Sequence, residues 1–293
     1  MGVAEWFTGF NQNLIIQDGG TISSRYKAIT RRLNTDFRNS NSDTSHSYYV
    51  GSYGRNTAIK GISDLDIIFE LPYEVYTQYN NYSGNGQSAL LQQVRNSMQK
   101  TYSTTSISGN GQVVVVSFQD GITFEVVPAF INTDKSYTYP DPNNYGSWKV
   151  TNPKPEIASV KERNASCNNN LIPLCRMMRA WKREWKVPIG GLLIDTLAYQ
   201  FINSFPHKDK SYLYYDFMCR DFFKWMSEQD PEQEFWKAPG SNQKVNGKGL
   251  FQAKAKKCYN LSLEAILIAG DSNKKDTTAK QKWREIFGTE YPS

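Results

Sequence analysis

Between residues 48 and 71 two short apolar runs enclose a glycine-rich turn, and the second run opens with carboxylates at alternate positions, Ser63-Asp64-Leu65-Asp66-Ile67-Ile68-Phe69. Successive side chains of a strand leave opposite faces, so Asp64 and Asp66 share one face while Leu65 and Ile67 turn into a core. Two carboxylates this close repel. Each titrates high unless a cation compensates, and a divalent ion that prefers oxygen ligands, such as Mg²⁺, is the usual compensator. Just upstream, Tyr48-Tyr49-Val50 reads as a strand that runs into Gly51-Ser52-Tyr53-Gly54-Arg55. A backbone without Cβ can approach phosphate oxygens there, and the Ser52 hydroxyl can donate to them.

The flanking sequence supplies the rest of a mixed α/β layer. Ile22, Tyr26, Ile29, Leu33 and Phe37 recur at helical spacing with Arg25, Lys27, Arg31 and Arg32 between them, which predicts an amphipathic helix over 21–38 capped by Thr21 or Ser23. A helix is expected over 89–102. Val113 to Phe118 reads as a strand buried on both faces, with Ile122 to Val127 as its hairpin partner across Gln119-Asp120-Gly121. That partner carries Glu125 between Phe124 and Val126. A lone carboxylate in such a strand is costly to bury unless it binds something. Asp64, Asp66 and Glu125 on adjacent strands, beside a Gly-Ser cradle, have the make-up of a two-metal site for in-line displacement at phosphorus.

From Ile131 to Pro155 the chain is rich in Asn, Pro, Tyr and Gly and reads as an irregular crossover. A helical lobe follows, with helices expected at 170–185, where Leu171, Leu174, Cys175, Met178, Trp181 and Trp185 form one stripe, and at 190–205, 212–228 and 253–269. No strand pattern is evident after the crossover. The lysines of 254–257 and Lys274-Lys275 read as solvated faces.

Composition narrows the function. Lysine and arginine outnumber aspartate and glutamate 34 to 28, a formal charge of +6 that suits a small polyanion better than a nucleic-acid coat. The four cysteines form no CxxC pair and only His46 and His207 are available, which argues against a zinc ribbon, a disulfide framework and a histidine-based hydrolase. No apolar run reaches the roughly 18–20 residues of a membrane span, and a cytoplasmic protein is expected.

The stretch from Val50 through Gly51-Ser52 to Ser63-Asp64-Leu65-Asp66-Ile67 resembles the nucleotidyltransferase signature of the polymerase-beta superfamily, in the form found in cGAS/DncV-like nucleotidyltransferases (CD-NTases). Arg179-Ala180-Trp181-Lys182 resembles that family's spine helix. The segment 283–292, with Ile286-Phe287-Gly288, resembles its C-terminal end, and 190–196 looks most like the bacterial CdnE-like branch.

The resemblance implies an α+β fold: a polymerase-beta-like nucleotidyltransferase core with a mixed sheet over 1–155, a C-terminal helical lobe over 156–293 contacting base and triphosphate, and an active site in the cleft between them. It implies condensation of two NTPs into a cyclic dinucleotide second messenger in bacterial antiphage signalling, with release of pyrophosphate. Asp64, Asp66 and Glu125 would be catalytic and hold two Mg²⁺ ions, for which Mn²⁺ can substitute. Gly51 and Ser52 would hold donor phosphates, Lys182 the triphosphate charge, and Asn164 a base edge. Where relatives carry a Ser-Tyr pair at the start of the next helix this chain has Gly191-Leu192, so the stacking tyrosine is missing. The Gly190-Gly191 variant resembles branch members found beside STING-like receptors and leans towards GTP and cyclic di-GMP, with U- or A-containing dinucleotides, or transfer to RNA or another acceptor, as the alternatives. The expected partners are NTPs and a downstream cyclic-dinucleotide receptor of STING-like type, with neither a membrane nor bound nucleic acid required.

Overall fold

The computed structural model describes residues 2–61, 64–271 and 276–293. In chain order they form α1 (Val3–Asn13), α2 (Gly19–Arg38), β1 (Ser47–Tyr49), a single turn α3 (Gly51–Gly54), β2 (Asp64–Glu70), α4 (Tyr73–Asn80) and α5 (Gly86–Gln99). Five strands follow, β3 (Ser106–Asn110), β4 (Val113–Ser117), β5 (Thr123–Ile131), β6 (Tyr137–Asp141) and β7 (Ser147–Thr151). Then come α6 (Pro153–Ser166), α7 (Leu171–Glu184), α8 (Gly191–Ser204), α9 (Tyr215–Ser227), the short strands β8 (Phe235–Lys237) and β9 (Lys244–Asn246), α10 (Gln252–Ala269) and α11 (Asp276–Phe287). The chain gathers into two compact units, one of residues 17–54 and 61–154, the other of 1–16, 55–60 and 155–293.

The first of these is the sheet unit. Its strands lie in the order β1-β2-β5-β4-β3, with β6 and β7 continuing from the far end of β5. Among the described strands only β2 and β5 run parallel, which requires the long crossover through α4, α5 and the β3–β4 hairpin. Leu65, Ile67, Phe124, Val126, Val114 and Val116 are fully buried from the sheet, as are Ile22, Ile29 and Leu90 from the helices. The helix α2 ends where Asn39 adopts φ 48°, and Asn34 Nδ2 then donates to the carbonyls of Ser42 and Ser45, tying the polar turn back onto the helix.

Four expectations need correction here. The segment 131–155 is not an irregular crossover: Tyr137 to Asp141 pairs with Ser147 to Thr151 as a hairpin, and Tyr137 is buried with its hydroxyl on Glu70 Oε1 at 2.6 Å. The helix α2 begins at Gly19 with Asp18 as its N-cap residue, so Thr21 and Ser23 lie inside the first turns rather than capping them. The glycine turn at 51–54 closes into one helical turn, Gly54 N donating to Val50 O at 2.9 Å. Strand also occurs after residue 155, as the β8–β9 pair, whose three-residue strands leave too short a pattern to read.

The second unit is helical. The stripe Leu171, Leu174, Cys175, Met178 and Trp181 is fully buried in a continuous core with α8, α9, α10 and α11. Its first and last segments meet: Phe7 lies 5.1 Å from Trp283 and 5.4 Å from Tyr291, and Phe10 lies 4.8 Å from Phe287, as ring centroids. Asn13 Nδ2 also donates to Glu290 O at 2.8 Å. Lys254 is not a solvated lysine: its Nζ donates to the carbonyls of Trp185 and Lys186 at 2.8 and 3.0 Å, closing the C-terminal end of α7. Lys256 and Lys257 are exposed, while Lys274 and Lys275 lie outside the described residues.

Candidate active site

In the sheet unit the parallel register sets Asp66 directly beside Glu125 and Asp64 beside Thr123. Register partners on neighbouring strands share a face, so all three carboxylates leave the side of the sheet opposite Leu65, Ile67, Phe124 and Val126. Asp64 is exposed, and Asp66 and Glu125 are half-buried. Glu125 titrates above the ordinary carboxylate range, because of its burial first and then because of the negative fields of Asp66 and Asp64.

The strand β2 also fixes the Gly-Ser turn. Val50 N donates to Asp66 O at 2.9 Å, and Gly51 follows at φ +58°, a conformation that L side chains rarely adopt. A Cβ at Gly51 would overlap the Asp66 carboxylate, standing 2.7 Å from its Cγ and 3.1 Å from its Cβ. Glycine is required there for two reasons, the backbone angle and the approach of Asp66. Ser52, next in the turn, is half-buried. Ser63 lies outside the described residues.

These residues suit a divalent cation. The donors are hard carboxylate oxygens on one face, burial and the fields of Asp66 and Asp64 raise Glu125, and Gly51 keeps the space beside Asp66 free of a side chain. Among the described residues no three His, Cys, Asp or Glu side chains close into a ready-made metal cage.

Lys182 and Asn164 belong to the helical unit, at opposite ends of α7. Lys182 sits in the last turn, half-buried, its ammonium titrating below the usual lysine range through burial and the fields of Arg179 and Lys248. Asn164, in α6, is buried with both ends of its amide engaged: Nδ2 donates to Asn169 Oδ1 and Oδ1 accepts Ile172 N, each at 2.9 Å. It therefore caps α7 from eight residues upstream, where Asn170 at the N-cap position does not. Asn170 instead donates to Lys208 O and Lys210 O and accepts from Tyr215 Oη.

One group escaped the sequence reading. The residues just past the Gly-Ser turn are held by Asp195 of α8, which is completely buried. Its carboxylate accepts Arg55 Nε at 2.9 Å, the Thr57 hydroxyl at 2.8 Å and Arg179 at 2.7 Å, while Arg179 Nε donates to Thr57 O at 2.7 Å. An acid inside the apolar run Leu-Leu-Ile-Asp-Thr-Leu was the available signal, since a buried carboxylate needs a partner. The same guanidinium explains Gly191: a Cβ there would stand 2.5 Å from an Arg179 nitrogen.

With this fold and site in view, the comparisons with known proteins identify the class. Residues 1–164 match the family described as the Second Messenger Oligonucleotide or Dinucleotide Synthetase domain, more than half of the chain. The chain belongs to this family, the CD-NTases, and is a nucleotidyltransferase of the polymerase-beta-like fold. It is 23% identical over 281 residues to a Bacillus cereus VD146 protein named probable cyclic nucleotide synthase, covering 83% of this chain and 81% of that one. It is 24% identical over 260 residues to the cyclic AMP-AMP-AMP synthase of an Acinetobacter species, covering 84% and 73%. Among solved structures, Escherichia coli MS115-1 CdnC in complex with HORMA-deltaN superposes with a TM-score of 0.69 at 13% identity, over 99% of this chain and 98% of that one. No helix among the described residues is long and apolar enough to cross a membrane.

Proposed function

We propose that this chain is a cytoplasmic, Mg²⁺-dependent synthase of a cyclic dinucleotide second messenger in antiphage signalling, with GTP and cyclic di-GMP as the favoured substrate and product. The observation that carries the reading is the register of Asp66 against Glu125, with Asp64 on the same face and Gly51 laid against Asp66. Asp64, Asp66 and Glu125 would hold two divalent ions, which supply charge neutralisation for the α-phosphoryl group and the leaving pyrophosphate. Gly51 and Ser52 position the donor's β and γ phosphates, and Lys182 neutralises triphosphate charge. Glu125, whose carboxylate is made more basic by burial and by the fields of Asp66 and Asp64, is suited to orient the attacking sugar hydroxyl or accept its proton. That oxygen bonds to the α-phosphorus as the bond to pyrophosphate breaks, and a second pass at the same carboxylates closes the ring.

Base choice rests with the helical lobe, 156–293, within the division into a core over 1–155 and that lobe. The amide of Asn164 reaches a base only by giving up the bonds that cap α7, and the Gly191 helix start offers no stacking ring. The Acinetobacter relative's named product is a trinucleotide, so an assay has to resolve ring size as well as base.

The test is incubation of the pure protein with each α-labelled NTP, singly and mixed, in Mg²⁺ and in Mn²⁺, followed by phosphatase and chromatography. A phosphatase-resistant product made by the wild type and absent with Asp66→Asn is expected, and its mobility names the bases. Labelled RNA ends or free phosphate alone would move the reading to an acceptor-directed transferase or to a hydrolase.

A further inference from the structure

Lysines converge on the corner where α7 gives way to α8, and only some of them have a structural task. Lys254 is spent on the carbonyls of Trp185 and Lys186, and Arg179 on Asp195 and Thr57. The ammonium groups of Lys182 and Lys248 have neither a hydrogen bond nor an ion pair among the described residues, yet they stand close enough for Lys248 to depress the Lys182 ammonium after burial and Arg179 have done so. A structural lysine gathered this way has an acid beside it. Two cations held together without one are arranged for an anion that arrives from outside.

The placement of Lys248 is built into the backbone. It sits between two glycines, Gly247-Lys248-Gly249, just past β9. Gly247 N donates to Glu234 O at 2.8 Å, and Gly249 takes φ +146°, with room for no Cβ because Pro188 Cβ would be 2.9 Å away. The segment is thereby pressed onto the loop before α8. The Lys248 arm then crosses Gly190, where a Cβ would meet its Cε at 3.6 Å and its Cδ at 3.9 Å. With glycine at 190 and 191 no side chain of this helix start can hold a ligand, and the lysine arm runs over that bare backbone.

We propose that Lys248 is a second polyphosphate-binding residue, which with Lys182 grips the triphosphate of the bound nucleotide and supplies from the β8–β9 segment the contact that a glycine-only helix start cannot make. This rests on the nucleotidyltransferase reading for its biological ligand, but the anion site itself can be tested without turnover.

Inorganic tripolyphosphate is titrated calorimetrically into the full chain, comparing wild type with Lys182→Gln, Lys248→Gln, the double variant, and Lys244→Gln as a control on the neighbouring strand. Expected are losses of about 3- to 10-fold for each single variant, no change for Lys244→Gln, and a double variant that loses less than the product of the singles because one ligand bridges both ammonium groups. In turnover, Lys248→Gln should raise the KM for NTP by about as much and leave kcat within about twofold. Wild-type tripolyphosphate affinity in Lys248→Gln beside a clear loss in Lys182→Gln would overturn the pair. Asp66→Asn separates the two readings. If it binds tripolyphosphate like wild type and Lys248→Gln does not, the pair stands even where no cyclic product is ever found.

Discussion

The tightest constraint in the site is the contact between Gly51 and Asp66, and Gly51→Ala tests it. The substitution meets two separate costs. Holding a non-glycine residue at φ +58° costs roughly 1–2 kcal/mol, because Cβ crowds the following carbonyl oxygen. The new methyl also falls on the Asp66 carboxylate, so Asp66 must leave its rotamer, which adds roughly 0.5–1.5 kcal/mol. The second cost needs the carboxylate. In an Asp66→Ala background it largely vanishes, since the remaining Cβ stands 3.1 Å from the new methyl and needs only a small shift. Urea unfolding of the four proteins should therefore show a loss of about 2–3 kcal/mol for Gly51→Ala alone, about 1–2 kcal/mol in the Asp66→Ala background, and a coupling of about 1 kcal/mol. Product formation by the single variant should fall about 100-fold or more, the usual consequence of moving a reacting group by an ångström. Equal losses in both backgrounds, or wild-type turnover in Gly51→Ala, would refute the assignment of Gly51 as the space-keeper for Asp66.

Two further outcomes concern the helical unit. Asp195→Ala leaves buried Arg55 with the more distant Glu156 carboxylate at 3.6 Å and takes the carboxylate from Arg179, and should cost about 2–4 kcal/mol by urea unfolding, whereas a loss below about 1 kcal/mol would show that water or rearrangement replaces the carboxylate. Asp216 of α9 is buried and titrates at about 6 instead of 3.8, chiefly through burial. Its fold-favoured form is the protonated one, so its contribution is complete below the unfolded pKa and is lost as pH rises through about 6. Asp216→Asn keeps an acceptor for Phe217 N and removes the titration, so it should match wild type below pH 3.8 and exceed it by about 3 kcal/mol above pH 7 in parallel unfolding curves; a pH-independent difference would refute the assignment.

The residues differ in how plainly they announced themselves. Asp64, Asp66 and Glu125 were legible because a period of two and a hairpin signal together determine face and approximate register, and the parallel pairing of β2 with β5 then places Asp66 against Glu125. The helices α2 and α7 were legible from apolar stripes that match their buried residues. The β6–β7 hairpin was hidden by its own composition: Tyr, Pro, Asn and Gly at 137–147 look like loop, and only pairing to the end of β5 makes strand of them. The helix α1 had a short pattern whose partners are some 280 residues away at 283–291. The clamp on Arg55 was illegible for the same reason, since its carboxylate is 140 positions distant and no local rule connects them. Gly191-Leu192 read only as the absence of a serine and a stacking tyrosine at the helix start. The structure gives Gly191 a positive reason, the Arg179 guanidinium in the space its Cβ would fill.

The meeting of α1 with the last helix bears on how the protein is made. Phe7 and Phe10 are synthesised roughly 280 residues before their packing partners Trp283, Phe287 and Tyr291. At roughly 5–20 residues per second, synthesis leaves that aromatic face uncovered for about 15–55 s, while the sheet segments, complete by residue 154, have already been delivered. Nascent chains thus carry α1 with its aromatic face uncovered until α11 has emerged, and stalling between the two is what would turn that helix into an aggregation seed.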